Sequence, residues 1–339
     1  MKKAYTFDDV ALVPQYNNIA SRTEPSLCSL LTERSDVNVP IVAANMDTVI
    51  SENLAEVLIS NNTYPIFHRF CSDDRLKTFS AKYSESCYMS IGLNDRSLKL
   101  LPYYEKVGVR GICIDIAHAH SSSVIELIRD ISSKYSFEII AGNVCTPGGY
   151  IDLVHAGADA VKVGIGPGAA CTTRMVTGFG VPQFTAIQDC AEESKKYGVP
   201  IIADGGIRNS SDIAKALAAG ANTVMIGKLF ALTFESAAEK KLVYENGDQV
   251  GKYIAKYRGQ ASKDFQTEFK GGLKRGTVAE GESFWADVNK SAQEVIDELT
   301  GGLRSAFTYA GARTLDEFQR KVQFVEVTNT YLAESNTRK

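Results

Sequence analysis

Eight short apolar runs recur along the chain, each followed by a polar or glycine-bearing turn and then by a segment of helical period. They are IVAAN (41–45), YPIF (64–67), CYMSIGL (87–93), GICIDIA (111–117), FEIIAGN (137–143), AVKVGIG (160–166), VPIIADGG (199–206) and NTVMIGK (222–228). Most are nearly continuous in apolar character, which suits parallel strands covered on both faces. Between them, SSSVIELIRDISSK sets Val124, Leu127, Ile128 and Ile131 on one helical face. In NSSDIAKALAAG, Ser210 is read as the N-cap, Ile213, Ala214, Leu217 and Ala218 form the buried stripe, and Gly220 falls just past the end. Eight strands alternating with helices predict a single closed (β/α)8 barrel rather than an open sheet. An open dinucleotide-binding fold would carry GxGxxG after its first strand, and the first run lacks it.

The loops after barrel strands build the functional rim. Asp47, His68, Asp115, Asn143, Cys171, Asp204 and Gly227 are therefore expected to converge on one face. One segment breaks the rhythm. After the eighth run and its helix, YRGQASKDFQTEFKGGLKRGTVAEGESF is polar, glycine-punctuated and without a clear period. Residues 257–282 are read as an active-site flap, ahead of a helix from Ser291 to Leu299. The polar end, 333–339, reads as a mobile tail.

Length and composition narrow the class. The 339 residues suit one barrel domain over 1–339, with a core large enough to fold without disulfides or metal. A net charge of −3 gives no basic surplus for nucleic acid or a membrane surface. No stretch reaches the roughly 18 apolar residues of a span. MKKAYTFDDV has no apolar run after its lysines and is not read as a signal peptide. The seven cysteines are scattered without a CxxC pair, which reads as reduced thiols in a cytoplasmic protein. His118 and His120 lie near Asp115 without an evident third metal ligand and are read as loop hydrogen-bonding groups. The lone tryptophan, Trp285, is read as packing.

Candidate chemistry gathers in two places. GIGPGAACTTRMVTGFGVPQ (164–183) sets Cys171 in a glycine-rich loop after the sixth run. A thiol presented there suits a covalent nucleophile. A small buried hydrophobe fits the same residue. IIADGGIR and MIGKLF follow the last two runs, where barrel loops often hold phosphate on backbone N–H groups. Tight turns alone would also call for these glycines.

TFDDVALVP (6–14), NMDTV (45–49), GIGPG-x-x-CTTR (164–174), IIADGGIR (201–208) and GGLRSAFTYAGA (301–312), in this order, resemble the IMP dehydrogenase and GMP reductase family. The resemblance covers about the whole chain, and the cysteine loop is its most specific part. It implies that Cys171 is the nucleophile. No room exists between the second and third runs for the pair of regulatory domains usual in the dehydrogenases. The flap carries no Arg-Tyr pair, which activates water in that branch. NMDTV, DIAHAHS and AGNV are similar to the reductase version.

For the reductase branch the resemblance implies attack by the Cys171 thiolate on C2 of GMP, loss of ammonia, and hydride transfer from NADPH to give IMP. Thr173 resembles the family's proton donor and Glu280 its acidic partner. The resemblance implies nucleotide contacts from Asp204, Gly205, Gly206, Gly227, Gly259, Gln260 and Gly281, with Asp204 on the ribose. It implies that the cofactor lies along Asp115, Ile116 and Ala117, with Ile165 and Gly166 beneath the nicotinamide. The adenine end would meet a neighbouring subunit of a homotetramer through Ser305 and Thr308. Carbonyls of Gly166, Gly168 and Cys171 would hold a monovalent cation such as potassium. An insert-free dehydrogenase, oxidising IMP with NAD to XMP, and a non-catalytic purine-nucleotide sensor are the alternatives.

The sequence departs from the family pattern at several positions. Ala169 replaces a phosphate-touching serine, and Lys228 stands where glycine or serine is usual, so Lys228 is expected to supply the missing charge. Gln260 replaces a methionine beside the base. Thr277 replaces an arginine that serves the cofactor, with Arg275 two positions away.

Overall fold

Each apolar run forms a strand in the computed structural model, which describes residues 2–93, 96–244, 251–328 and 330–335. Ahead of them lie β1 (Val10–Val13) and the hairpin of β2 (Ser29–Thr32) with β3 (Ser35–Val37). The barrel strands are β4 (Ile41–Ala43), β5 (Ile66–Phe67), β6 (Tyr88–Ile91), β7 (Gly111–Asp115), β8 (Glu138–Val144), β9 (Ala160–Val163), β10 (Ile201–Asp204) and β11 (Thr223–Ile226). They pair in parallel in the order β4-β11-β10-β9-β8-β7-β6-β5. At the seam the Thr63 hydroxyl, just before β5, donates to the Ile41 carbonyl at 2.9 Å. This is the (β/α)8 barrel that the alternation predicts.

The strands are apolar because helices cover them outside and side chains fill them inside. Ile112, Ile114, Ile140, Val161, Val163 and Ile202 are fully buried. Each such side chain stabilises the fold by about 1.5–3 kcal/mol. Two charged residues of the barrel strands break this rule: Glu138 of β8 is 5% exposed and Lys162 of β9 only 1%.

The helices are α1 (Glu52–Ser60), α2 (Asp73–Tyr83), α3 (Leu101–Lys106), α4 (Ser122–Lys134), α5 (Pro147–Ala156), the short α6 (Thr173–Thr177), α7 (Gln183–Tyr197), α8 (Ser210–Ala218), α9 (Lys228–Ala231), α10 (Lys263–Lys270) and α11 (Ala292–Tyr309). In α4 the expected face is buried at Val124, Ile128 and Ile131, while Leu127 is half-buried at its edge. The cap of α8 is Asn209 rather than Ser210: Asn209 has extended backbone and its side chain accepts the Asp212 N–H, so Ser210 already lies inside the helix. The last long helix also runs ten residues beyond the expected Leu299, to Tyr309. The helix continues through Gly301 and Gly302. Gly302 lets α11 lie against the start of α8, where a Cβ would sit 2.2 Å from Ser210 Oγ.

Between α9 and α11 the chain forms an antiparallel sheet of β12 (Lys240–Val243), β13 (Lys252–Arg258) and β14 (Ser283–Val288). The expected flap, 257–282, leaves the end of β13, contains α10 and returns just before β14. Trp285, on β14, is partly exposed with the Lys241 ammonium over its ring. Finally α12 (Leu315–Lys321) leads to β15 (Gln323–Glu326), which pairs with β1, and to α13 (Tyr331–Ser335). Of the expected tail, residues 333–335 belong to α13 and 336–339 lie outside the described residues. No helix among the described residues is long and apolar enough to cross a membrane.

Candidate active site

The cysteine loop leaves β9 and folds onto the turn after β10. Gly205 has φ +96°, and a Cβ there would meet Pro167 Cγ at 2.9 Å and Gly168 N at 3.1 Å. Only glycine lets GIGPG and ADGG approach this closely. Cys171 follows this contact directly, its Cβ 3.4 Å from where a Cβ on Gly168 would sit. All seven cysteines are free, and Cys171 is half-buried.

The Cys171 Sγ donates to Thr173 Oγ1 at 3.2 Å. Among the described residues, the hydrogen bonds that dock the flap on the same loop run between backbone groups. Thr172 N–H donates to the Glu280 carbonyl at 2.9 Å, and Glu282 N–H donates to the Ala170 carbonyl at 2.9 Å. Cys171 and Gly281 form an antiparallel bridge between these bonds, and Gly281 also bridges Ser262. The other arm of the flap closes when Gly259 N–H donates to the Glu282 carbonyl. Thus Glu280 reaches the cysteine loop by its main chain. Among the described residues no hydrogen bond joins its carboxylate to Thr173.

Deeper in the barrel mouth, Lys162 Nζ donates to Asp115 Oδ1 at 2.6 Å and to Asp204 Oδ2 at 3.4 Å. Asn143 Nδ2 donates to the same Asp204 oxygen at 3.0 Å and to the Gly164 carbonyl at 2.8 Å. Arg69 reaches the far oxygen of Asp115 at 3.5 Å. Burial disfavours charge on Asp115, but Lys162 and Arg69 outweigh it and hold its pKa below the ordinary value. Burial likewise works against the Lys162 ammonium, yet Asp115 and Asp204 raise its pKa overall.

The flap's root is anchored at the other side of the mouth. Tyr257 turns its hydroxyl toward Gly227, where a Cβ would lie 2.6 Å from it. Burial raises the Tyr257 pKa, with Asp204 and Cys171 adding to the effect. Arg258 donates to Asp47 Oδ2 at 2.8 Å from Nε and to Glu268 of α10 at 2.5 Å. Burial raises the Asp47 pKa against the pull of that arginine. Phe70 packs edge-on against Phe265 of α10, centroids 4.6 Å apart. Gln260 donates its side-chain amide to the Asn45 carbonyl at 3.0 Å.

Most of the expected residues therefore meet. Cys171, Thr173, Gly259, Gly281, Gly205, Asp204, Asp115, Asn143 and Gly227 surround one mouth, and Asp47 joins them through Arg258. His68 does not. Its ring stacks between Phe67 and Phe70, its Nδ1 accepts the Phe70 N–H, and burial pushes its pKa down to about 3. Lys228 is exposed, with its ammonium 5.2 Å from the centre of the Phe284 ring. Ser305 and Thr308 lie on α11, and each hydroxyl bonds back to its own helix. His120 bonds Asp152 at 2.8 Å, as a loop hydrogen-bonding group should. The Gly168 carbonyl of the expected cation site accepts the Cys171 N–H. Sequence reasoning missed Lys162, Arg69, Tyr257 and Arg258.

The residues expected to lie along a cofactor border this mouth. Ile116 and Ile165 are half-buried and Ala117 is exposed, giving an apolar lip for a flat ring. Asn143 ties the two sides together: its N–H donates to the Ile116 carbonyl at 2.7 Å and its side chain reaches Gly164. A separate cavity of about 510 Å³ lies at the opposite, N-terminal ends of β8 to β10, lined by Glu33, Arg34, Tyr135 and Asp159 among others. None of the residues above borders it.

The chain matches the family model for the IMP dehydrogenase / GMP reductase domain over residues 4–338. A GMP reductase of Helicobacter pylori is 40% identical over 336 residues, covering 97% of this chain and 98% of that protein. An inosine-5'-monophosphate dehydrogenase of Cryptosporidium parvum is 34% identical over 395 residues, covering 98% of this chain and 94% of that protein. One of Chlorobaculum tepidum is 43% identical over 258 residues, covering 73% of this chain and 51% of that protein; the match spans about half the length of that relative.

Proposed function

The chain belongs to the IMP dehydrogenase/GMP reductase family, and we propose that it is a reductase of that family, converting GMP to IMP and ammonia at the expense of NADPH. The observation that carries this reading is the Cys171–Thr173 pair beneath a docked flap that lacks an Arg-Tyr dyad. End-to-end similarity to chains named GMP reductase supports it.

Cys171 adds to C2 of the guanine ring. The S–C2 bond forms, the C2–N bond of the exocyclic amine breaks, and the thiol proton leaves with the amine as ammonia. Thr173, already hydrogen-bonded to the sulfur, relays that proton. Glu280, whose carbonyl accepts the Thr172 N–H, holds the loop that carries this relay from the flap. A closed flap excludes water, so the thioimidate on Cys171 is not hydrolysed. The dinucleotide, when bound, supplies hydride to C2. Cys171 then departs as thiolate and regains a proton, and IMP is released. One nucleophile thus divides a hard substitution into two easier steps. Backbone N–H groups of Gly205, Gly206 and Gly227 hold the phosphate, and Asp204 holds the ribose.

The dehydrogenase reading keeps one observation in its favour, since relatives of that name are of comparable identity. One experiment separates the two. Purified protein is given GMP with NADPH, or IMP with NAD, while nicotinamide absorbance and ammonia are followed. NADPH loss with equimolar ammonia establishes the reductase. NADH formation with XMP overturns it.

A further inference from the structure

Lys162 has no part in the steps above, yet it is the most deeply buried charge in the mouth. It rises from β9, in the floor of the barrel, at 1% exposure. Its single ammonium is shared between Asp115, on the cofactor side, and Asp204, on the ribose side. Both of its described bonds go to carboxylates. At Asp204 it shares Oδ2 with Asn143. The other oxygen, Oδ1, accepts no hydrogen bond among the described residues, and the side chain is 21% exposed. One oxygen is thus pinned from below and the other faces the mouth.

We propose that Lys162 is a positioning residue that fixes the Asp204 carboxylate with one oxygen turned toward the nucleotide ribose, and so sets the protein's discrimination for ribose hydroxyls. This rests on the purine-nucleotide reading of the site. A carboxylate held at one oxygen presents the other at no reorganisation cost, which is how a supporting shell sharpens a contact. Without the lysine, Asp204 keeps only Asn143 and swings. The nucleotide then loses the contact to its hydroxyls but none of its base or phosphate contacts.

The test compares GMP with 2′,3′-dideoxy-GMP by calorimetric binding. The wild-type protein is expected to prefer GMP by about tenfold, the worth of a charge-assisted hydrogen bond. Lys162→Met should bring the two ligands to similar affinity by weakening GMP alone. Lys162→Arg should restore part of the preference. General damage to the barrel would instead weaken both ligands together, and that result overturns the proposal. Removing one partner of a buried ion cluster leaves an uncompensated charge and can prevent folding. The charge-balanced Lys162→Met/Asp115→Asn variant avoids this and should show the same loss of preference, while Asp115→Asn alone keeps it. A double variant that still prefers GMP tenfold overturns the proposal. A wild-type protein that binds neither GMP nor IMP overturns the nucleotide reading itself, and the proposal with it. Wild-type binding of GMP without preference over the dideoxy compound overturns the Asp204 contact while leaving the nucleotide reading intact.

Discussion

Cys171 and Gly281 face each other as an antiparallel bridge, so the candidate nucleophile and the flap share one narrow strip of β-structure. A Cβ on Gly281 would stand 3.0 Å from the Ala170 carbonyl and 3.1 Å from Ser262 N, both backbone atoms that cannot swing away. Gly281→Ala should therefore part the flap from the loop. Losing one or two backbone bonds of about 1 kcal/mol each lowers kcat by roughly tenfold. Protease nicking between residues 263 and 282 should rise in parallel, with the melting temperature little changed. Unaltered kcat and nicking would show that docking does not limit turnover.

Replacing Cys171 by alanine should abolish turnover, by a factor on the order of 10⁴ or more, while GMP still binds. Thr173→Val removes the hydroxyl that takes the sulfhydryl hydrogen bond. It should slow ammonia release by about 10²–10³. Single-turnover ammonia assays decide this. Equal rates for Thr173→Val and the parent would remove Thr173 from the relay.

Lys228 has its ammonium over Phe284 and exposed to solvent. If it replaces the missing phosphate contact at Ala169, Lys228→Ala weakens GMP by about threefold, the worth of an exposed ion pair. Guanosine, which lacks the phosphate, should bind both proteins alike. A GMP affinity unchanged by the substitution excludes the role.

The buried His68 predicts an acid limb in stability. Its pKa falls from 6.5 to about 3 because burial disfavours the imidazolium. Between those values the unfolded chain binds a proton at this ring and the folded chain does not. Stability is therefore complete above pH 6.5 and is lost as pH falls toward 3, by on the order of 4 kcal/mol. His68→Asn retains an acceptor for the Phe70 N–H and has nothing to titrate. The difference between parent and variant melting curves should shrink steadily over that range. A constant difference would mean that the ring is protonated in the fold.

Much of this architecture was legible because parallel strands leave a simple mark. A run such as GICIDIA has few alternatives once both faces must be covered. The cysteine loop and the turn glycines were legible for a related reason, since close backbone approach admits one residue type. Lys162 was not. A single lysine within AVKVGIG is indistinguishable in sequence from one whose head reaches solvent, and only the inward pleat of β9 puts it between two carboxylates. Arg258 and Asp47 are 211 positions apart, and no local pattern links them. The β12–β14 sheet escaped notice because its strands are only partly buried and carry many charges. The end of α11 was set short at Leu299, because the packing of Gly302 on Ser210 that the helix continues through is a tertiary contact.

The flap's grip on the cysteine loop consists of main-chain donors and acceptors. Such a grip is blind to side chains, except where glycine must keep the path clear. Loops of quite different character can be fastened by it, provided Gly259 and Gly281 remain. The barrel then acts as a socket, and on the proposed reading what the flap carries into it decides which reagent meets the purine. Grafting a foreign flap between those two glycines is accordingly the shortest route to redirecting this chemistry, with the barrel left untouched.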